Sequence, residues 1–171
     1  MRHQICLLWA VLFLVSSTVH GWPSISTMLS NYPSYGSYST NQMIDLAGLP
    51  TWLYGSNTCA MRVSYAMIKS GYTINISTGQ FNWSGVRASR KGNEKYIIRV
   101  ATWRRYLENK KGSADVVSTS QSSYSGKKGI IVFQDCGFVT ATGHVDLYDG
   151  SDCKGHCYFS SCNNIRLFEF S

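Results

Sequence analysis

Five cysteines, Cys59, Cys136, Cys153, Cys157 and Cys162, lie beyond the first 21 residues, and an odd number cannot be satisfied by intrachain bridges alone. What precedes them sets their chemistry. Arg2 and His3 lead into an unbroken apolar run from Ile5 to Val15, followed by small and polar residues up to Gly21. That is the layout of a secretory signal peptide, with Val19 and Gly21 offering the small side chains that a signal peptidase accepts. The run is too short for a transmembrane helix, and no later segment resembles a span. The chain is therefore expected in an oxidising compartment, where thiols pair. Four of the five cysteines crowd the last third of the chain, and Cys59 stands far upstream. The expected arrangement is Cys153 bridged to Cys157, Cys136 bridged to Cys162, and Cys59 free. No pair has the spacing of a zinc site, and no cofactor is expected.

Residues 22–171 are one domain's worth of chain, enough to bury a core without a metal or a second subunit, so a monomer is expected. With 16 Lys plus Arg against 9 Asp plus Glu the protein is cationic. Its basic residues come in scattered pairs, Arg104-Arg105, Lys110-Lys111 and Lys127-Lys128, which suits attraction to an anionic envelope better than a nucleic-acid stripe. Two sequons, at Asn75 and Asn82, would accept glycans in a eukaryotic secretory pathway.

The segment 23–40, rich in Ser, Tyr and Gly, reads as an irregular strap. Polar residues 55–58 then precede Ala60, Val63 and Met67 on one helical face, with Gly71 where a helix prefers to stop, so a helix is expected over 59–70. A second is expected over 95–109 from the stripe Ile97, Val100, Ala101 and Leu107. After a Ser-rich loop over 113–125, β-rich runs at 130–133, 142–148 and 165–170 close the chain. Helices first and strands last predict an α+β domain with a mainly antiparallel sheet packed against the early helix.

A cysteine in the first turn of a helix meets unpaired N–H groups and the positive end of the dipole, which stabilise a thiolate and can hold an oxyanion. The Cys59 N–H is expected among the oxyanion donors. A thiolate nucleophile needs a base, and only His144 and His156 lie beyond the leader. His144 opens a strand directly after Gly143, whereas His156 sits in a tight loop between two cysteines. His144 is the expected base.

Three segments, Asn57-Thr-Cys-Ala-Met-Arg-Val-Ser-Tyr-Ala66, Lys127-Lys-Gly-Ile-Ile-Val-Phe133 and Gly143-His-Val-Asp-Leu-Tyr-Asp-Gly150 with its Cys153-x3-Cys157 tail, resemble the type VI secretion amidase effectors of family 4 in order and spacing. The resemblance implies a papain-like, NlpC-type amidase that hydrolyses the bond between D-glutamate and meso-diaminopimelate in peptidoglycan stems. Those effectors are injected by a secretion machine and lack a signal peptide. A chain that carries one resembles a domesticated member, acquired by a eukaryote and secreted against bacteria.

One departure bears on the catalytic centre. The family places a catalytic aspartate inside the cysteine-bounded loop, which here reads Cys153-Lys154-Gly155-His156-Cys157. The third member is then Asp152, just before the loop, His156 within it, Asp146, which shares a strand face with His144, or a backbone or water contact in place of a side chain. Two rival readings use the same residues: a wall-binding module that has lost catalysis, and an NlpC-type hydrolase of a different amide.

Overall fold

The computed structural model describes residues 21–76 and 85–171. The expected signal peptide falls almost wholly outside them, as do the Asn82 sequon and the end of the Asn75 sequon. In chain order the elements are helices α1 (Ile25–Ser30), α2 (Thr40–Leu46) and α3 (Cys59–Lys69), strands β1 (Val86–Ala88) and β2 (Lys95–Ile97), helix α4 (Val100–Lys111), and strands β3 (Val116–Val117), β4 (Gly129–Cys136), β5 (Gly143–Tyr148) and β6 (Cys162–Glu169). The sheet order is β3-β6-β4-β5, every pair antiparallel, and β1 and β2 form a separate antiparallel ribbon. This is the α+β arrangement expected, with α3 packed on the sheet.

Helix α3 is buried nearly all round, which its single apolar stripe did not announce. Ala60, Val63, Ala66 and Met67 join Ile130, Val132, Val145, Leu147 and Phe168 in the main core. Met61 packs instead with Met43, Ile44, Leu53 and Tyr96. The far side of the sheet carries a second layer, in which Ile131, Phe133, Ile165 and Leu167 lie under Tyr124, Tyr148 and the aromatic pair Tyr158-Phe159.

Two expectations are corrected. The second helix starts at Val100, because residues 95–97 are drawn into the ribbon with β1. There Ser64 on α3 pins Ile97, donating to its carbonyl at 2.9 Å and accepting its N–H at 3.0 Å, and Arg99 is still extended. The strap is not irregular throughout either. Ser24 caps α1, and Ser39 with Gln42 forms a reciprocal capping box on α2. Between these helices the chain is held by Arg62, a fully buried side chain on α3 that donates to the carbonyls of Pro33, Ser34 and Tyr38 and to the Thr58 hydroxyl. The Tyr35 ring stacks 3.9 Å from its guanidinium. A charge so placed is tolerated because every direction of its fork meets an acceptor. Its consequence is positional, since it seats Tyr32 and Tyr35 against the end of β5.

Candidate active site

Both expected disulfides are present. Cys136 and Cys162 are direct partners across β4 and β6, and Cys153 closes the short loop to Cys157. Among the described residues Cys59 is the free cysteine, buried in the first turn of α3. That turn is held by Asn57, whose Oδ1 accepts the Cys59 N–H at 3.0 Å, so the donor expected to serve an oxyanion is already engaged. Asn57 itself is exposed on the wall of the cleft.

His144 reaches Cys59 from β5. Gly143 before it lies where a Cβ would stand 2.4 Å from the Phe133 carbonyl oxygen, so only glycine lets β5 approach β4 this closely ahead of the histidine. His144 is 5 % exposed, and its imidazole lies close enough to Cys59 for the thiol to bear on its charge. Its Nε2 lies 3.1 Å from Asp146 Oδ2, which leaves Nδ1 for the thiol. Burial by itself would lower the His144 pKa. The hydrogen bond to Asp146 and the neighbouring Cys59, with the charge of both, outweigh it and push the value up to about 9.

Asp146 is fully buried, and its carboxylate is saturated by directed donors. Oδ1 accepts the Leu147 N–H at 2.8 Å, and Oδ2 accepts Gly155 N–H at 2.9 Å and His156 N–H at 2.8 Å besides the imidazole. The loop between the bridged cysteines thus delivers two backbone donors and no carboxylate. A Cβ on Gly155 would stand 2.6 Å from Asp146 Oδ2 and 2.7 Å from the Tyr35 ring. The buried Tyr32 hydroxyl lies beside the same carboxylate without a hydrogen-bond partner, and burial, then the Asp146 charge, keep it protonated.

Of the three carboxylate or imidazole candidates for the third position, the structure brings Asp146 to His144 and leaves the others elsewhere. Asp152 is exposed, and its Oδ1 accepts the N–H of Cys153. Its oxygen lies within 4.8 Å of the Cys153 and Cys157 sulfurs, but with both in a disulfide the group offers no thiolate to a metal. The His156 ring packs on Tyr158 at 4.5 Å, and the residue meets Asp146 through its backbone N–H. Sequence reasoning gave Asn57 no role beyond the polar run before the helix, although the Asn-x-Cys spacing was a legible signal for it.

The site opens into a cleft of two lobes that share Ser56, Asn57 and Thr140 on their walls. One, of about 590 Å³, is lined by Cys59 with Trp52, Arg87 and Arg99. The other, of about 610 Å³, is lined by His144 with Tyr35, His156 and Tyr158.

Residues 55–168, two thirds of the chain, match the family described as "Type VI secretion system (T6SS), amidase effector protein 4". None of the curated proteins compared with the chain matches it. Among solved structures, the chain is similar to the effector Tae4 of Salmonella Typhimurium in its complex with Tai4, at 25 % identity and a TM-score of 0.73, over 88 % of this chain and 100 % of that one. It is similar also to the effector Tae4 of Enterobacter cloacae, at 23 % identity and a TM-score of 0.71, over 89 % of this chain and 99 % of that one, a likeness that speaks to the fold. With its α3 cysteine, its antiparallel sheet and this match across the segment that holds Cys59, Asp146 and His144, the chain belongs to the type VI secretion system amidase effector 4 family.

Proposed function

We propose that the protein is a secreted, antibacterial peptidoglycan amidase of papain-like, NlpC-type descent, which hydrolyses the D-glutamyl to meso-diaminopimelate bond of wall stem peptides through Cys59 and His144. The observation that carries this reading is the grouping at the head of α3: a free buried thiol beside an imidazole that a buried carboxylate holds through Nε2. Family membership supplies the reaction class, and peptidoglycan is the amide polymer on which an antibacterial amidase acts.

In the proposed reaction the Cys59 thiolate attacks the amide carbon, and His144, held as imidazolium by Asp146, protonates the departing nitrogen. The C–N bond breaks and a thioester remains. Water then adds to the thioester with His144 accepting its proton, and the thiol is restored on release of the acid. Asp146 fixes the tautomer and balances the imidazolium charge. Because Asn57 Oδ1 already binds the Cys59 N–H, the Asn57 side-chain amide, on the cleft wall, takes the place of that N–H as a donor to the oxyanion.

Secretion is supported by the Ile5–Val15 apolar run and by two disulfides, which an oxidising compartment maintains. A secreted member of a family of injected effectors is best explained by acquisition into a eukaryotic lineage. The test is mass spectrometry of diaminopimelate-type muropeptides incubated with the mature protein. New free amines on diaminopimelate, lost on Cys59→Ala, are expected. Wall that sediments with the protein but yields no new peptide would overturn the amidase reading in favour of a binding module.

A further inference from the structure

The two lobes of the cleft are chemically unequal, and the relay gives them a direction. Proton transfer to the departing nitrogen requires that nitrogen to face His144, which lines the lobe shared with Tyr35, His156 and Tyr158. The acyl portion, bonded to Cys59 Sγ after the first step, must then extend into the lobe that Cys59 lines. Among the described residues on that lobe's wall are two arginines, Arg87 and Arg99, and no acidic side chain.

Three further features suit an anion there. Trp52 is 64 % exposed on the lobe wall, and the Arg87 guanidinium lies 5.0 Å from its ring centroid. Helix α4 begins on the same wall at Arg99, without a side-chain cap, so the positive end of its dipole adds to the arginine field. The volume, about 590 Å³, accommodates an amino-acid residue with a flanking one rather than a lone ion.

A γ-linked glutamyl acyl group carries its own α-carboxylate on this side of the scissile bond, at the end of a short methylene chain that can lie on an aromatic face. Its α-amidated counterpart, the isoglutaminyl group, has nearly the same shape and no charge. We infer that the Cys59 lobe is a carboxylate-reading acyl subsite, in which Arg87 and Arg99 select γ-glutamyl stems with a free α-carboxylate over α-amidated ones. This rests on the amidase reading above and adds to it a specificity, against walls whose glutamate is not amidated.

The experiment uses the mature protein and two synthetic tripeptides, L-Ala-γ-D-Glu-meso-diaminopimelate and its α-amide. The wild type is expected to favour the acid in kcat/KM by at least about tenfold, the scale of a charge-assisted contact. The double variant Arg87→Gln/Arg99→Gln is expected to bring the acid-to-amide ratio to within about twofold of parity. Calorimetric binding of both peptides to Cys59→Ala, with and without the arginine pair, reads the subsite independently of turnover. Equal kcat/KM for acid and amide in the wild type, or a preference that survives loss of both arginines, overturns the inference. Should the wild type cleave neither peptide, the amidase reading fails, and the calorimetric arm alone decides: equal affinities reject the subsite, and an arginine-dependent preference for the acid retains it.

Discussion

Replacing Asp146 by asparagine removes one charge and one acceptor from the centre of the site while preserving its shape. The carboxylate takes one hydrogen bond on Oδ1 and three on Oδ2. An amide has a single acceptor oxygen, so at least one of Leu147 N–H, Gly155 N–H, His156 N–H and the imidazole must lose its partner. The rise of His144 from 6.5 to about 9 corresponds to about 3 kcal/mol of preference for the imidazolium. Without the Asp146 charge, burial is opposed by Cys59 alone and the ring should titrate well below its wild-type value. Because the folded value lies above the unfolded one, this stabilisation is fully present below pH 6.5 and is lost as pH rises through about 9. Wild-type unfolding free energy should therefore fall across that window by up to about 3 kcal/mol, and Asp146→Asn should flatten the fall. Its kcat should drop by about a hundredfold or more with KM little changed, since a fully buried carboxylate touches no substrate. Muropeptide kinetics, urea unfolding at several pH values and NMR titration of the His144 ring check the three parts. An Asp146→Asn enzyme within about threefold of wild-type kcat, alongside an inactive Asp152→Asn or His156→Gln, would refute the reasoning.

Alkylation should modify one thiol, Cys59, leave both bridges intact and abolish turnover, with Cys59→Ala folded and inactive; peptide mapping and circular dichroism check this. Asn57→Asp keeps an acceptor for the Cys59 N–H and removes the amide donor, so kcat should fall by about 10² while the melting temperature holds; unchanged kcat removes Asn57 from the oxyanion site. Gly155→Asp, which puts back the family's loop carboxylate, should cost at least about tenfold in kcat, because its Cβ would stand 2.6 Å from Asp146 Oδ2; increased activity measured on muropeptides would show that the relay is impaired as it stands. Cys153→Ser/Cys157→Ser should lower stability by about 2 to 5 kcal/mol in urea unfolding and should lower kcat as well, since the loop's two N–H donors to Asp146 lose their tether.

The parts of this molecule that were legible in the sequence are those fixed by periodicity or by counting. The odd cysteine, the helix opening at Cys59 and the three long strands all follow from patterns a few residues apart. The misreadings share a different cause. Residues 95–97 fit a helical stripe, and pairing with β1 together with the Ser64 hydroxyl on α3 holds them as strand. The strap resisted a periodic reading because its order comes from a buried guanidinium 24 to 29 residues downstream. Nothing local in residues 31–38 encodes Arg62.

The same reasoning explains why the loop was searched for a side chain that it does not hold. The family's aspartate lies in the bridged loop, which pointed to Asp152 beside it and His156 within it as well as to Asp146 on the strand. A Cβ on Gly155 would stand 2.6 Å from Asp146 Oδ2, so a side chain at 155 crowds the carboxylate that the strand supplies from 146. With glycine at 155 the loop closes down on Asp146 and contributes N–H groups where it would otherwise contribute charge. The period of two already put Asp146 on the face of His144, and burial then makes the neighbours' donors obligatory, since an unpaired carboxylate in that position would cost several kcal/mol. In this chain, then, the bridged loop acts on the imidazole through Asp146, and its backbone conformation matters more to the relay than the identity of its side chains.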